Sequence, residues 1–389
     1  MATIKVNGVD LNYDLAGPEG APVVVFSNSL GSAIDMWDAV VPALAGRYRC
    51  LRYDTRGHGG SGSADKAISI DELAGDLAGL LDQLGIEKAH IVGLSLGGMT
   101  GQALASRSPE RVASLALLAT AAYLPPLDFW EMRAATVRAD GPAALVDQVI
   151  PRWFTEAFRE RAPEAVERVR SSFMRIDRAG YARCCEAIGA MDLRDRLQAI
   201  EVPTLVMVGA DDPVTTLAFA EELRAGIAGA ELVVVPRCAH LMSVERPDAV
   251  AAHLLAFLGR QTGALHDDSF QKGLAVRKSV LGGDYVEGAL KQAGAFGANW
   301  QDFITRVAWG EIWGDPTLPR KTRSLLTLAM MIALHREEEF KLHLRPARGN
   351  GVTAEELKAL IKQAAIYAGV PAANAAMRWT REVLGEELE

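Results

Sequence analysis

The feature that most restricts the fold is Gly93-Leu94-Ser95-Leu96-Gly97, set between the apolar run Ala89-His90-Ile91-Val92 and an apolar helical stretch reaching Leu104. A strand that turns at once into a helix crowds its own backbone. The pattern G-x-S-x-G relieves that crowding by placing a residue without a Cβ on either side of the serine. Such a turn leaves the Ser95 hydroxyl raised above the edge of a sheet, exposed for attack. Taken alone, a serine between glycines is a turn former; here the strand and the helix that the motif requires flank it.

The rest of the first 260 residues supplies the sheet. Residues 4–13 alternate about Asn7-Gly8, which predicts a β-hairpin with a type I′ turn. Short continuous apolar runs follow at 22–26, 50–53, 89–92, 112–118, 204–208 and 231–235. Runs of this kind form strands buried on both faces. Helical patterns at 71–84, 216–225 and 247–258 lie between them, and this alternation predicts an α/β, doubly wound, mostly parallel sheet. From about 123 to 197 no strand appears, only helical stretches broken by Pro125-Pro126, Gly141-Pro142 and Pro163. That insertion reads as a helical cap over the carboxyl edge of the sheet, where open α/β sheets bind ligands.

The composition changes after Gly259-Arg260. Residues 260–270 are polar and read as a linker, and residues 271–389 show helical patterns only, which predicts a second, all-α domain. Thr353-Ala354-Glu355-Glu356 has the form of a capping box. A chain of 389 residues suits two domains. With 49% apolar and 23% charged residues, both can bury ordinary cores. The net charge of −8, with Lys and Arg dispersed, excludes a nucleic-acid footprint. Cys50, Cys184, Cys185 and Cys238 make no C-x-x-C pair and no zinc-ligand spacing. No metal is therefore expected. The N-terminal residues lack a basic start followed by an apolar run, and no stretch reaches the ~18 apolar residues of a membrane span. A cytoplasmic location, away from membranes, is the expectation.

Partners for Ser95 occur in the chain order Ser, acid, His that this fold uses. Asp212 ends an apolar run in Gly209-Ala210-Asp211-Asp212-Pro213, and His240 follows the last run in Cys238-Ala239-His240-Leu241. His240 is expected to take the proton from Ser95 while Asp212 orients the ring; Asp211 is the rival acid. An oxyanion hole needs backbone N–H groups at the developing alkoxide, for which Leu96 and Leu30 are the candidates. Asp54-Thr55-Arg56-Gly57-His58-Gly59 reads as a tight turn beside the site, with His58 structural rather than catalytic.

Asn28-Ser29-Leu30-Gly31, Asp54–Gly59 and Gly93-Leu94-Ser95-Leu96-Gly97-Gly98-Met99 give residues 1–259 a resemblance to the α/β-hydrolase family, and within it to the β-ketoadipate enol-lactone hydrolases. Where many relatives carry His-Gly, this chain carries Asn28-Ser29-Leu30-Gly31. The resemblance implies an acidic lactone substrate. A cap cation is then expected, with Arg133, Arg138, Arg152 and Arg175 as candidates and Trp130, Trp153 and Phe154 as an apolar wall.

The helical domain resembles the γ-carboxymuconolactone decarboxylases through Glu311-Ile312-Trp313-Gly314, Arg320-Lys321-Thr322-Arg323-Ser324-Leu325, Lys341-Leu342-His343-Leu344-Arg345 and Tyr367-Ala368-Gly369-Val370-Pro371. The wider superfamily includes alkyl-hydroperoxide-reductase-like members with C-x-x-C ahead of a histidine. Here those positions hold Arg336 and Glu339, which excludes thiol redox chemistry from this domain. Decarboxylation of such a lactone pushes electrons into its own carbonyl, so no cofactor is expected. The resemblance points to His343 as proton donor, Glu339 at i−4 as its orienting group, and Arg320, Arg323, Arg336 and Arg345 as anion contacts. In Arg345-Pro346-Ala347-Arg348 the chain departs from the relatives' pattern, which leaves the role of Arg345 open.

Together the two resemblances imply a bifunctional enzyme that decarboxylates 4-carboxymuconolactone and hydrolyses the resulting enol-lactone to 3-oxoadipate. A homo-oligomer built through the helical domain is also implied. The alternatives are a general carboxylesterase carrying a non-catalytic helical oligomerisation domain, and a non-enzymatic binding protein on a hydrolase scaffold.

Overall fold

In a computed structural model, which describes residues 2–63, 66–262 and 264–388, the chain divides into two compact units, Met1–Thr262 and Gly263–Glu389. The first contains an eight-stranded sheet: β1 (Ala2–Val6), β2 (Val9–Ala16), β3 (Val23–Ser27), β4 (Arg49–Tyr53), β5 (Ala89–Leu94), β6 (Val112–Leu118), β7 (Thr204–Gly209) and β8 (Glu231–Val235). The strand order is 1-2-4-3-5-6-7-8. β1 with β2, and β2 with β4, are antiparallel, and every other pair is parallel. The Asn7-Gly8 turn joins the first two strands, with both residues at positive φ as the expected hairpin requires.

Helices cover the sheet on both faces: α1 (Ile70–Gln83), α2 (Leu96–Arg107), α8 (Leu217–Gly226) and α9 (Pro247–Thr262). This explains why β5 and β7 are buried at every residue, and why their sequences run apolar without alternating. Ser69 and Glu72 close a capping box at the start of α1, which sets where that helix begins. Between β6 and β7 the expected cap forms as five helices: α3 (Leu127–Asp140), α4 (Val146–Trp153), α5 (Glu156–Arg161), α6 (Pro163–Met174) and α7 (Arg178–Ala190).

The second unit is helical throughout: α10 (Ala264–Leu281), α11 (Gly283–Ile304), a π-helical segment Thr305–Ile312, then α12 (Arg320–Ala333), α13 (Glu337–Gly349), α14 (Ala354–Tyr367) and α15 (Val370–Leu384). Leu328, Phe340, Leu344, Leu357, Ala376 and Trp379 are among the residues of its core. The predicted capping box is present, with Thr353 Oγ1 accepting from the Glu356 N–H and Glu356 accepting from the Thr353 N–H.

Two features differ from the sequence reading. The polar run 260–270 reads as a linker, yet α9 extends to Thr262 and α10 starts at Ala264. Gly263 between them lies outside the described residues. Polarity there does not mean loss of helix, because Arg260, Gln261, Ala264 and Leu265 are good helix formers. The pattern at 300–309 reads as an ordinary α-helix, but from Thr305 the turns widen to π geometry.

Candidate active sites

The catalytic geometry of the first unit starts at the β5–α2 turn. Ser95 has φ 55° and ψ −114°, a strained conformation for a residue with a side chain. Its neighbours show what the motif glycines are for. A Cβ on Gly93 would lie 2.2 Å from the Gly97 carbonyl oxygen, and one on Gly97 would lie 2.1 Å from the Ser27 carbonyl oxygen. The turn is then pinned from outside: the Ser95 N–H donates to Leu118 O at 2.9 Å, and Thr120 Oγ1 donates to Ser95 O at 2.7 Å.

Asp212 and His240 come together from the ends of β7 and β8. His240 Nδ1 lies 2.9 Å from Asp212 Oδ2, both residues being buried. The carboxylate also accepts from the Val214 and Thr215 N–H groups at 2.8 and 3.1 Å and from Thr215 Oγ1 at 2.7 Å. Burial raises the cost of its charge. The adjacent imidazole and these donors outweigh that cost and hold its pKa below the ordinary carboxylate value. Of the two neighbouring acids, Asp212 is the one in contact with His240. Asp211 lines a separate surface cavity.

Ser95, His240 and Leu30 line one cavity of about 180 Å³ beneath the cap. Among the described residues no side-chain hydrogen bond reaches Ser95 Oγ, an arrangement common in unliganded hydrolases, whose contacts tighten around the substrate. The Leu96 N–H lies in the first turn of α2, where no intrahelical acceptor exists. The Leu30 loop is held from below. The Gly31 N–H donates to His58 Nε2 at 3.1 Å, and His58 Nδ1 sits 3.2 Å from Arg56 O. With Nε2 accepting, the ring is the neutral Nδ1–H tautomer, and burial lowers its pKa in the same sense. Asp54 braces the same region, its Oδ1 accepting from the Ile34 N–H at 2.8 Å. His58 is thus a positioning residue, a role that no local sequence signal reveals.

The cap lines the rest of the cavity with Trp130, Trp153, Phe129, Arg133 and Arg152. Arg133 carries the more distinctive environment. Its Nε donates to Tyr181 Oη at 2.9 Å, Nη2 donates to the same oxygen, and the rings of Phe129, Trp130 and Tyr181 lie within 6.0 Å. Among the described residues no carboxylate pairs with it. Sequence reasoning missed Tyr181. The other candidates fall elsewhere: Arg138 pairs with Glu186 on the surface, Arg175 lines a different cavity, and Phe154 faces the one beside Asp211.

In the second unit His343 sits on α13, half-buried, its ring centroid 6.3 Å from Trp309 and 6.2 Å from Trp313, with planes within 17° of parallel. The two tryptophans stack on each other at 5.2 Å. Burial lowers the His343 pKa, and Glu339 opposes the shift. Trp309 and Trp313 went unremarked in the sequence as site residues, although their i, i+4 spacing and the Glu311–Gly314 motif were there to be read. Arg320, Arg336 and Glu339 are exposed. Arg345 is engaged by Glu387 and Val383 O. Arg323 is mostly buried, donates to Asp315 O at 2.8 Å, and keeps a buried Nε without a hydrogen-bond partner. Among the described residues there is no cluster suited to a metal ion.

A serine raised on a strained strand–helix turn, with an Asp-oriented imidazole under a helical cap, defines the first unit as an α/β-hydrolase; the second is a helical domain centred on a histidine and two tryptophans. The chain belongs to the alpha/beta hydrolase fold family, matched over residues 22–247, and to the carboxymuconolactone decarboxylase family, matched over residues 298–382. It is 39% identical over 247 residues to 3-oxoadipate enol-lactonase 2 of Acinetobacter baylyi, covering 64% of this chain and 92% of that protein. It is 49% identical over 117 residues to the 4-carboxymuconolactone decarboxylase of the same organism, covering 30% of this chain and 87% of that protein. Among solved structures, the enol-lactonase from Burkholderia xenovorans LB400 shares 43% identity with a TM-score of 0.65, covering 66% of this chain and 99% of that one.

Proposed function

We propose that this chain is a bifunctional enzyme that decarboxylates 4-carboxymuconolactone in its second unit and hydrolyses the product, 3-oxoadipate enol-lactone, in its first. The observation that carries this reading is the pairing on one chain of near full-length likenesses to a decarboxylase and to a lactonase. The product of the first reaction is the substrate of the second.

In the hydrolase, Ser95 attacks the lactone carbonyl while His240 takes its proton, and Asp212 stabilises the imidazolium. The N–H groups of Leu30 and Leu96 receive the developing alkoxide. The leaving group is an enolate, which His240 protonates and which becomes a ketone; water then releases 3-oxoadipate from Ser95. Arg133 meets the substrate carboxylate, because a guanidinium held by a neutral phenol in an apolar wall still lacks its counter-charge. Trp130, Trp153 and Arg152 complete that wall.

In the second unit, loss of CO₂ from the γ-carbon moves an electron pair through the ring double bond to the lactone carbonyl oxygen. His343 returns one proton at the carbon beside the carbonyl. A flat, stacked setting for His343 suits a planar dienolate.

The second unit leaves Trp300, Phe303, Leu334, Ile366 and Tyr367 more than half exposed, a density of apolar side chains that supports a homo-oligomer formed through this unit. No helix among the described residues is long and apolar enough to cross a membrane. All four cysteines are buried free thiols, which fits a cytoplasmic enzyme. The purified chain given 4-carboxymuconolactone alone should release CO₂ and 3-oxoadipate in equal amounts. Turnover of neither lactone would overturn the proposal.

A further inference from the structure

Arg277 lies on α10 and is 4% exposed. Its Nη1 donates to Gln301 Oε1 at 2.8 Å and to Thr305 Oγ1 at 3.0 Å, both neutral, and its Nε is buried without any partner. No ion pair reaches it among the described residues. A buried cation is tolerated when something negative meets it, and here the protein supplies only neutral oxygens.

Its position ties this unmet charge to the His343 site. α10 packs directly on the π-helical segment at Gly273, where a Cβ would lie 1.9 Å from Thr305 O. Arg277 is one turn further along α10, at i+4 from Gly273, and so on the same face. It therefore meets the π segment at Thr305, one turn before Trp309, whose ring stacks on His343. A π segment inside a helix is frequent at functional sites. Here Trp309 lies within the segment and Trp313 just past its end, and both rings stack on the imidazole.

We infer that Arg277 is the anion-binding residue of the second unit, holding the side-chain carboxylate of the lactone, the one that is not expelled, beside Trp309 and His343. The inference rests on the decarboxylase reading above. It supplants Arg320 and Arg336, which are exposed, and gives the site a cation already desolvated and prepositioned. Burial pushes the Arg277 pKa down, as expected of a guanidinium awaiting a counter-ion.

The test compares two substrates on the full chain: 4-carboxymuconolactone, and the same lactone with only its acetate side chain methyl-esterified. CO₂ release is the readout. The wild type should prefer the free acid. Arg277→Gln should erase that preference, lowering it about ten- to a hundred-fold, the worth of a charge-assisted hydrogen bond. Arg277→Lys, which keeps the charge and the fold but loses the planar fork, should lower it partway. A purely structural arginine would lower turnover of both substrates alike and leave the preference intact, and that result in either variant overturns the inference. Should Arg277→Gln fail to fold, the Lys variant alone decides. A wild type that releases no CO₂ from either lactone overturns the decarboxylase reading and this inference with it. An active wild type with an unchanged preference in the variants overturns this inference alone.

Discussion

Asp212 Oδ2 and His240 Nδ1 lie 2.9 Å apart, at the ends of neighbouring parallel strands, with three further donors on the Asp212 carboxylate. Those donors fix the carboxylate so that it fixes the ring. Asp212→Asn keeps the shape but offers an N–H where an acceptor is needed, and should lower kcat for lactone hydrolysis by about four orders of magnitude. CO₂ release should be untouched. Parallel assays of the two activities check it.

The same pair makes a statement about acid stability. The Asp212 pKa is lower in the fold than in the unfolded chain, so on acidification the unfolded chain takes the proton first. Its contribution is complete above the ordinary Asp value near 3.9 and is lost as pH falls through the lower folded value. His90 acts at higher pH. Burial, with help from Lys88, pushes its pKa down to about 4, while its Nδ1 lies 2.8 Å from Ser114 Oγ. The unfolded imidazole binds a proton near pH 6.5 and the folded one does not, so stability should decline from about pH 6.5 toward 4. Tm measured across that range should fall less steeply in His90→Asn than in the wild type.

Arg133 should decide affinity rather than the chemical step. Arg133→Met should raise KM for the enol-lactone about ten- to a hundred-fold with a smaller change in kcat. Tyr181→Phe, which removes only the oxygen that holds the guanidinium, should have a smaller effect of the same kind. Steady-state kinetics of both variants distinguish this from a collapsed cap, in which kcat would fall with binding.

His343 should impose an acid-side dependence on decarboxylation. As the donor it must be protonated, and burial lowers its pKa, so kcat/KM for CO₂ release should fall as pH rises through a value below 6.5. Glu339 opposes that shift. Glu339→Gln should therefore move the profile further toward acid, and a pH profile of both proteins reads it directly.

The sequence revealed those parts of the fold and site that local sterics control. Gly93 and Gly97 are required wherever a strand turns straight into a helix, so the elbow could be read without a structure. Asp212 could be read because it ends an apolar run in the right chain order. Arg133 could not be singled out among four cap arginines, since only tertiary packing sends it toward Tyr181 and sends Arg138 to Glu186. His58 was legible as a turn residue but not as the acceptor for the Gly31 N–H, which lies 27 residues away in the chain. Trp309 and Trp313 share a helix face by their i, i+4 spacing, but their stacking on His343, which lies two helices later, exists only in the fold.

Two sites acting in succession on one chain must fail independently of each other. Giving 4-carboxymuconolactone to Ser95→Ala and to His343→Ala, with CO₂ and 3-oxoadipate followed separately, measures that independence. Ser95→Ala should release CO₂ at the wild-type rate while lactone hydrolysis falls by roughly five to six orders of magnitude. His343→Ala should release little CO₂ yet hydrolyse added enol-lactone normally. If either substitution abolishes both activities in folded protein, or neither activity responds to its own residue, the chain does not carry two independent sites.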